Sequence, residues 1–67
     1  MSQMEVLAVS PTQAARLLGV SRPTMYKIMQ QSGFPAFHVG GRVLISTEGL
    51  REWVRNKAEE GLVHDPD

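Results

Sequence analysis

The fold is decided between residues 10 and 33, which read SPTQAARLLGVSRPTMYKIMQQSG. Ser10 is a favoured N-cap residue, and Pro11 suits the first position of a helix because its missing N–H is not needed there. Gln13 stands three residues after Ser10, which is the spacing of a capping box. The apolar side chains that follow repeat at i, i+3 and i+4, and they predict one buried helix face made by Ala14, Leu17 and Leu18.

A second helix is predicted directly after the first. Gly19 is expected to end the first helix, because the left-handed residue that closes a helix is least strained without a Cβ. Ser21 is a second N-cap candidate, and the residue before a proline avoids helical geometry, so this helix begins at Arg22 or Pro23. It should end near residues 32–33. Its inward face is predicted to consist of Met25, Ile28 and Met29. Two short helices joined by a glycine-containing turn form the helix-turn-helix pattern.

Outward from this helix pair, the sequence predicts β-structure on both sides. Residues 37–39 and 42–45 are rich in β-branched and aromatic side chains, and Gly40-Gly41 between them is a strong two-residue hairpin signal. Phe37 is expected to lie in the core. Before the first helix, residues 5–9 are apolar apart from Glu5 and predict a short strand or an extended arm.

A third helix is predicted after the hairpin. Ser46 is its N-cap candidate, and Glu48 favours the positive end of the helix dipole. Its apolar face is predicted to consist of Leu50, Trp53, Val54 and Ala58, with Trp53 in the core. We expect a single domain over residues 1–60, followed by a flexible acidic tail over residues 61–67.

Length and composition narrow the functional class. Sixty-seven residues with 42% apolar and 21% charged side chains suit one small globular domain. There is no cysteine, and the two histidines stand far apart, so no metal site and no other cofactor is expected. No apolar run approaches the ~20 residues of a membrane helix, and a signal peptide's basic start is missing, so we expect a cytoplasmic protein with no membrane contact.

Catalysis is not expected. A concave substrate pocket is hard to build from so few residues. The sequence offers no paired carboxylates, no nucleophile with a neighbouring base and no phosphate-cradling glycine loop. We therefore expect a binding protein and not an enzyme.

The net charge of zero conceals an asymmetry along the chain. Residues 6–47 contain four basic side chains and no Asp or Glu, whereas the remainder contains three basic and seven acidic ones. A basic middle flanked by acidic ends indicates one surface suited to a polyanion. The alternative is a chance distribution of charges. Which of the two interpretations holds depends on the elements that carry the four basic side chains.

The predicted order is arm or strand, helix, helix, β-hairpin, helix. This is mostly α with a small β-hairpin, and a hairpin placed after a helix-turn-helix is a wing, so the fold class is a minimal winged helix-turn-helix. The sequence resembles the small excisionase-type DNA-binding proteins of phages and integrative elements, which are related to the DNA-binding part of mercury-resistance-type (MerR-type) regulators. The likeness spans residues 6–56 and is carried by AARLLGVSR (14–22), TMY (24–26), FP (34–35), GGR (40–42) and LREW (50–53). It implies DNA binding, with excision or transcription regulation as the output.

The second helix supplies the first set of candidate DNA contacts, because in this fold its N-terminal residues meet base edges in the major groove. Arg22 could read guanine through two hydrogen bonds, and Thr24 could touch a thymine methyl or a phosphate. Tyr26 and Lys27 suit the phosphate backbone. The alternatives are a solvated charge for Arg22, local capping for Thr24 and rim packing for Tyr26.

The wing and the helix starts supply the second set. Arg42 follows the glycine turn, where it could reach the minor groove or its phosphates, and Gly41 permits close backbone approach. An exposed charge without function is the alternative for Arg42. Ser21 is foremost a cap, yet the helix start that it opens favours anions. Arg16 lies on the first helix, which crosses the backbone in this fold, and is a candidate phosphate contact.

Two functional classes follow from these residues. The first is a DNA-binding accessory or regulatory protein with double-stranded DNA as partner. The second is a protein-interaction module whose wing and third helix dock an integrase or other recombinase. One small domain reads few base pairs, so we expect a monomer in solution that binds neighbouring sites cooperatively.

Overall fold

The computed structural model describes residues 6–63. Its elements follow the predicted order of strand, two helices, hairpin and helix. They are β1 (Ala8–Val9), α1 (Pro11–Leu18), α2 (Arg22–Met29), β2 (Ala36–Val39), β3 (Arg42–Ser46) and α3 (Thr47–Val63). The minimal winged helix-turn-helix predicted from the sequence is therefore confirmed.

The predicted ends of α1 are confirmed, but its predicted buried face is partly wrong. The Gln13 N–H donates to Ser10 Oγ at 3.1 Å, and the Ser10 N–H donates to Gln13 Oε1 at 3.4 Å, which is the capping box. Gly19 closes the helix in the left-handed conformation at φ 76°. The buried side chains of α1 are Ala14 and Ala15, with Leu18 packed beside them, whereas Leu17 is 64% exposed.

The position of Leu17 follows from helix geometry. Ala14, Ala15 and Leu18 define a face whose centre lies about 100° around the helix from Leu17, given 3.6 residues per turn. Two alanines on that face let α1 lie close against the rest of the core. The predicted set has the spacing i, i+3, i+4, whereas the buried set has the spacing i, i+1, i+4, with Ala15 in the place predicted for Leu17.

The second helix begins at Arg22, after Ser21 as its N-cap. Met25 is fully buried, and Ile28 and Met29 pack against the core, as predicted. The helix ends at Met29, earlier than the expected end near residue 32. Between the end of α2 and the start of β2, the chain turns at Gly33, whose φ is 86°.

A three-stranded antiparallel sheet in the order β1-β3-β2 forms the wing side of the domain. Val39 pairs with Arg42, which leaves Gly40-Gly41 as the two-residue turn that the sequence predicted, with Gly40 at φ 63°. Phe37 pairs with Leu44 and is 40% exposed, so the prediction of a core position is wrong. The register explains this exposure. Ile45 of β3 points into the core, and successive side chains alternate between the two faces of the sheet, so Leu44 and its partner Phe37 lie on the outer face.

The third helix closes the core. Ser46 caps it, since the Gly49 N–H donates to Ser46 Oγ at 3.0 Å. The buried core is made by Val9, Ala14, Ala15, Met25, Phe34, Ile45 and Leu50. Trp53 is half-buried at the edge of this core, where it meets Phe34 in an edge-to-face contact with ring centroids 5.2 Å apart.

The distal part of α3 departs from the prediction. Val54 is 39% exposed and Ala58 is exposed, so the predicted apolar face is wrong beyond Trp53. The reason is that the helix continues past the core, with every side chain from residue 54 to 61 exposed. It runs to Val63, so residues 61–63, the first part of the predicted tail, are helical. The rest of the predicted tail lies outside the described residues.

Gly49 allows α3 to lie against the segment that enters the wing. A Cβ on Gly49 would stand 2.5 Å from Pro35 Cβ, closer than such carbons approach, and 3.2 Å from Pro35 Cγ. Exchange of glycine for alanine inside a helix ordinarily stabilises by about 1 kcal/mol. Here we expect Gly49→Ala to lower the free energy of unfolding by about 1–2 kcal/mol, because the rigid proline ring must move.

Thermal denaturation of Gly49→Ala beside Gly61→Ala tests this contact. Gly61 lies in the same helix, and a Cβ there meets no atom within 4 Å, so Gly61→Ala should leave stability unchanged or raise it. A Gly49→Ala variant that melts at or above the parent temperature would contradict the close packing of α3 on Pro35.

Candidate nucleic-acid interface

The N-terminal half of α2 presents a row of polar side chains to solvent. Met25 turns inward and fixes the rotation of the helix, because its side chain is fully buried. The residues on either side of it therefore point outward. All of the candidates that the sequence places on this helix are exposed, namely Arg22, Thr24, Tyr26 and Lys27.

Two hydroxyl groups at the start of α2 are linked. Ser21 Oγ accepts the Thr24 N–H at 3.3 Å, and its own O–H donates to Thr24 Oγ1 at 3.0 Å. The hydroxyl of Ser21 is thereby committed to the cap. Thr24 Oγ1 takes part in the cap as an acceptor and keeps its own O–H to donate to an outside acceptor.

The same start has one backbone donor for an anion in its first turn. Pro23 carries no N–H, and the Thr24 N–H is held by Ser21. The Arg22 N–H precedes the first intrahelical hydrogen bond, which runs from the Met25 N–H to the Ser21 carbonyl at 2.9 Å. A phosphate at this helix start would therefore meet the backbone and side chain of Arg22 together.

The β2–β3 turn carries the second group of candidates. Arg42 is the first residue of β3 and is exposed. Gly40 needs its positive φ to make the turn, as expected, whereas Gly41 does not have a positive φ. A Cβ on Gly41 would meet no atom within 4 Å, so the chain itself has no steric need for glycine there. The bare backbone of Gly41 lies open to a neighbouring molecule.

The charges around α2 and the turn are of one sign. No acidic residue occurs between Val6 and Thr47, so no carboxylate of that segment competes for these cations. Within residues 6–63, the ion pair of side chains joins Lys57 and Glu60 of α3 at 3.5 Å. Arg22, Lys27 and Arg42 make no ion pair among the described residues, so their charges are available to an anionic partner.

Arg16, the remaining basic candidate, is exposed on α1. It lines a groove between α1, β1 and α3 together with Leu17, Arg51 and Val54. No residue of α2 or of the β2–β3 turn lines that groove. The phosphate contact of Arg16 stays a prediction, and neither Arg51 nor the groove was predicted from the sequence.

Comparison with known proteins agrees with this geometry. A family model described as a helix-turn-helix domain matches residues 8–58, which include every element from β1 to the middle of α3. No curated protein matches the chain significantly, and neither does any solved structure.

Between residues 6 and 63, no helix combines the length and the apolar character needed to cross a bilayer. The same residues contain no cluster of three or more His, Cys, Asp or Glu side chains that could hold a metal ion.

Proposed function

The chain belongs to the helix-turn-helix domain family, and on this premise we propose that it binds a specific double-stranded DNA sequence as an accessory factor of site-specific recombination. The observation that carries the proposal is the exposed N-terminal half of α2, held outward by buried Met25 in a segment without acidic residues. The proposal assigns the protein no catalytic step. The DNA that it binds is a duplex segment of a bacterial or phage genome.

Each exposed side chain of α2 has a proposed task. Arg22 would read guanine in the major groove through a bidentate hydrogen bond. Thr24 would donate its O–H to a phosphate or place its methyl group against thymine. Tyr26 and Lys27 would hold the phosphate backbone and fix the register of the helix. Ser21 would act through the helix start that it caps.

Arg42 and Gly41 would contact the adjacent minor groove or its phosphates. We expect Arg42→Ala to weaken binding to all duplexes alike and to lower the slope of log affinity against log salt by about one unit, since one fewer counterion is released. The fold should persist, because an exposed charge beside a turn contributes little to stability.

Salt titrations of the parent and of Arg42→Ala on one duplex, with melting checked for both, measure this contribution. Arg55→Ala is the matched control, since Arg55 is exposed on α3 beyond the core. Parallel salt slopes and equal affinities for Arg42→Ala and the parent would remove the turn from the DNA interface.

The recombination role rests on the resemblance to excisionase-type proteins and on the size of the interface. One short helix and one turn contact few base pairs, so a single copy discriminates weakly between sequences. An accessory factor gains specificity from neighbours, either further copies on adjacent sites or a recombinase bound beside it. We therefore propose a protein that is monomeric when free and cooperative on DNA.

Excision of an integrated element separates this role from transcription regulation. The assay supplies a marker flanked by the attachment sequences of an integrated element, together with the recombinase of that element. We expect the excised product to depend on the chain and to be lost with Arg22→Ala. The selected site is the duplex that the parent chain selects from a pool of random sequences. Excision that proceeds equally without the chain, combined with repression of a reporter that carries the selected site, would identify a transcription regulator instead.

A further inference from the structure

A groove of about 660 Å³ lies between α1, β1 and α3, on elements that the proposed DNA contacts of α2 and the turn do not use. Its floor includes Val9, Leu18 and Leu50. Apolar side chains also continue onto its edges, where Leu17 is 64% exposed, Val6 is 61% exposed and Val54 is 39% exposed. Adjacent exposed apolar side chains of this size mark interaction sites more often than single ones do.

The charged side chains of the described residues that line the groove are all positive. Arg16 from α1 and Arg51 from α3 both line it, and no acidic side chain of residues 6–61 does. Both arginines are exposed, and neither is ion-paired among the described residues. The groove therefore offers an apolar floor with cationic groups on the two helices that border it.

We propose that this groove docks an amphipathic helix of a partner protein, with acidic residues flanking the helix's apolar stripe. A helix laid between two helices places side chains at i, i+3 and i+7 onto one apolar floor. Glutamates or aspartates beside that stripe would meet Arg16 and Arg51. Exposed apolar surface at the edges of the groove, on Val6 and Leu17, suits an extended partner segment better than a small ligand.

A second copy of this chain fits the groove less well. Two copies that met groove to groove would bring Arg16 and Arg51 of both together, and the described residues that line the groove supply no carboxylate between them. Like charges at such an interface are unfavourable. The charge pattern thus favours an acidic partner over self-association, and this inference stands whether the DNA-bound protein acts in excision or in regulation.

A synthetic helix tests the proposal on the full chain. The probe is an amphipathic peptide of about four helical turns, with leucines at i, i+3 and i+7 and flanking glutamates. We expect it to bind the parent chain and to bind Leu17→Ser roughly tenfold more weakly, since an apolar anchor is lost. Leu7→Ser is the matched control, because Leu7 is 81% exposed and does not line the groove.

Charge reversal at Arg51 tests the electrostatic part of the proposal, because loss of apolar surface alone would not change which peptide binds more tightly. Arg51→Glu should weaken binding of the glutamate peptide and strengthen binding of the same peptide with lysines in place of glutamates. Lys57→Glu, on the same helix but outside the groove, should change neither peptide's binding comparably. Affinity of all these variants for duplex DNA should stay at the parent level, which separates a failure here from a failure of the proposed DNA binding.

Three results would overturn the proposal. A parent chain that binds neither peptide would show that the groove does not dock an amphipathic helix. Self-association of the parent that Leu17→Ser abolishes would assign the groove to a second copy. A salt slope for DNA binding that falls in Arg51→Glu would assign the arginines to the DNA interface.

Discussion

Truncation of Met25 to alanine is expected to lower the free energy of unfolding by about 2–5 kcal/mol, the largest effect of any change considered for this chain. Met25 is fully buried and belongs to the core cluster that joins all three helices to the sheet. A cavity there cannot collapse easily, because its neighbours are held by short capped helices. Urea denaturation followed by circular dichroism measures the loss.

The effect on function should follow from the effect on stability. A domain of this size has only a few kcal/mol of net stability, so Met25→Ala should be largely unfolded at 25 °C and bind DNA poorly. Tyr26→Ala is the matched control, since Tyr26 is the next residue and 49% exposed. It should melt close to the parent. A Met25→Ala variant that melts as the parent does would show that α2 is not anchored by this side chain.

Replacement of Arg22 by alanine is expected to weaken binding to the selected duplex by about 1–3 kcal/mol and to relax the preference at one base pair. The loss should come from a guanine that no longer has its bidentate partner. Stability should change little, because Arg22 is exposed and makes no ion pair among the described residues. Titration on the selected site and on its single-base variants, at one salt concentration, measures both effects.

The pattern of loss distinguishes the possible tasks of Arg22. An equal loss on every duplex would make it a phosphate contact. No loss on any duplex would leave it a solvated charge, and the reading of sequence by α2 would then need another side chain. Arg55→Ala removes an equally exposed arginine from α3 and should leave the base preference intact.

The order of elements could be predicted from the sequence because local signals specify it. The capping box at Ser10, the left-handed Gly19 and the two-residue turn at Gly40 each depend on residues a few positions apart. Such signals act through backbone conformation and need no knowledge of the tertiary fold. The sequence allows α2 to begin at Arg22 or at Pro23. The hydrogen bonds of the Ser21 hydroxyl to Thr24 make Ser21 the N-cap, so the helix begins at Arg22.

Packing across elements could not be predicted in the same way. Leu17 and Phe37 carry apolar side chains at plausible core positions, yet the rotation of α1 and the register of β2 turn them outward. Gly49 gave no sequence signal, because its role depends on Pro35 approaching from another segment. The groove shared by Arg16 and Arg51 likewise requires α1 and α3 to be neighbours.

The candidate interface was predictable as far as exposure and charge go. The side chains of α2 and the turn that the sequence singled out all lie at the surface, and the acid-free segment makes that surface cationic. Which of them touch a base and which touch a phosphate depends on how the duplex docks. Those tasks stay predictions.

Backbone amide shifts on addition of the selected duplex test the DNA-binding surface most directly. The largest changes are predicted at residues 22–27, apart from Pro23, and at residues 40–42 around the turn. The amides of residues 54–61, where α3 extends past the core, should stay at their free positions. Largest changes along α3 or in the groove of Leu17 and Val54, with α2 unchanged, would contradict DNA recognition by the second helix and the wing.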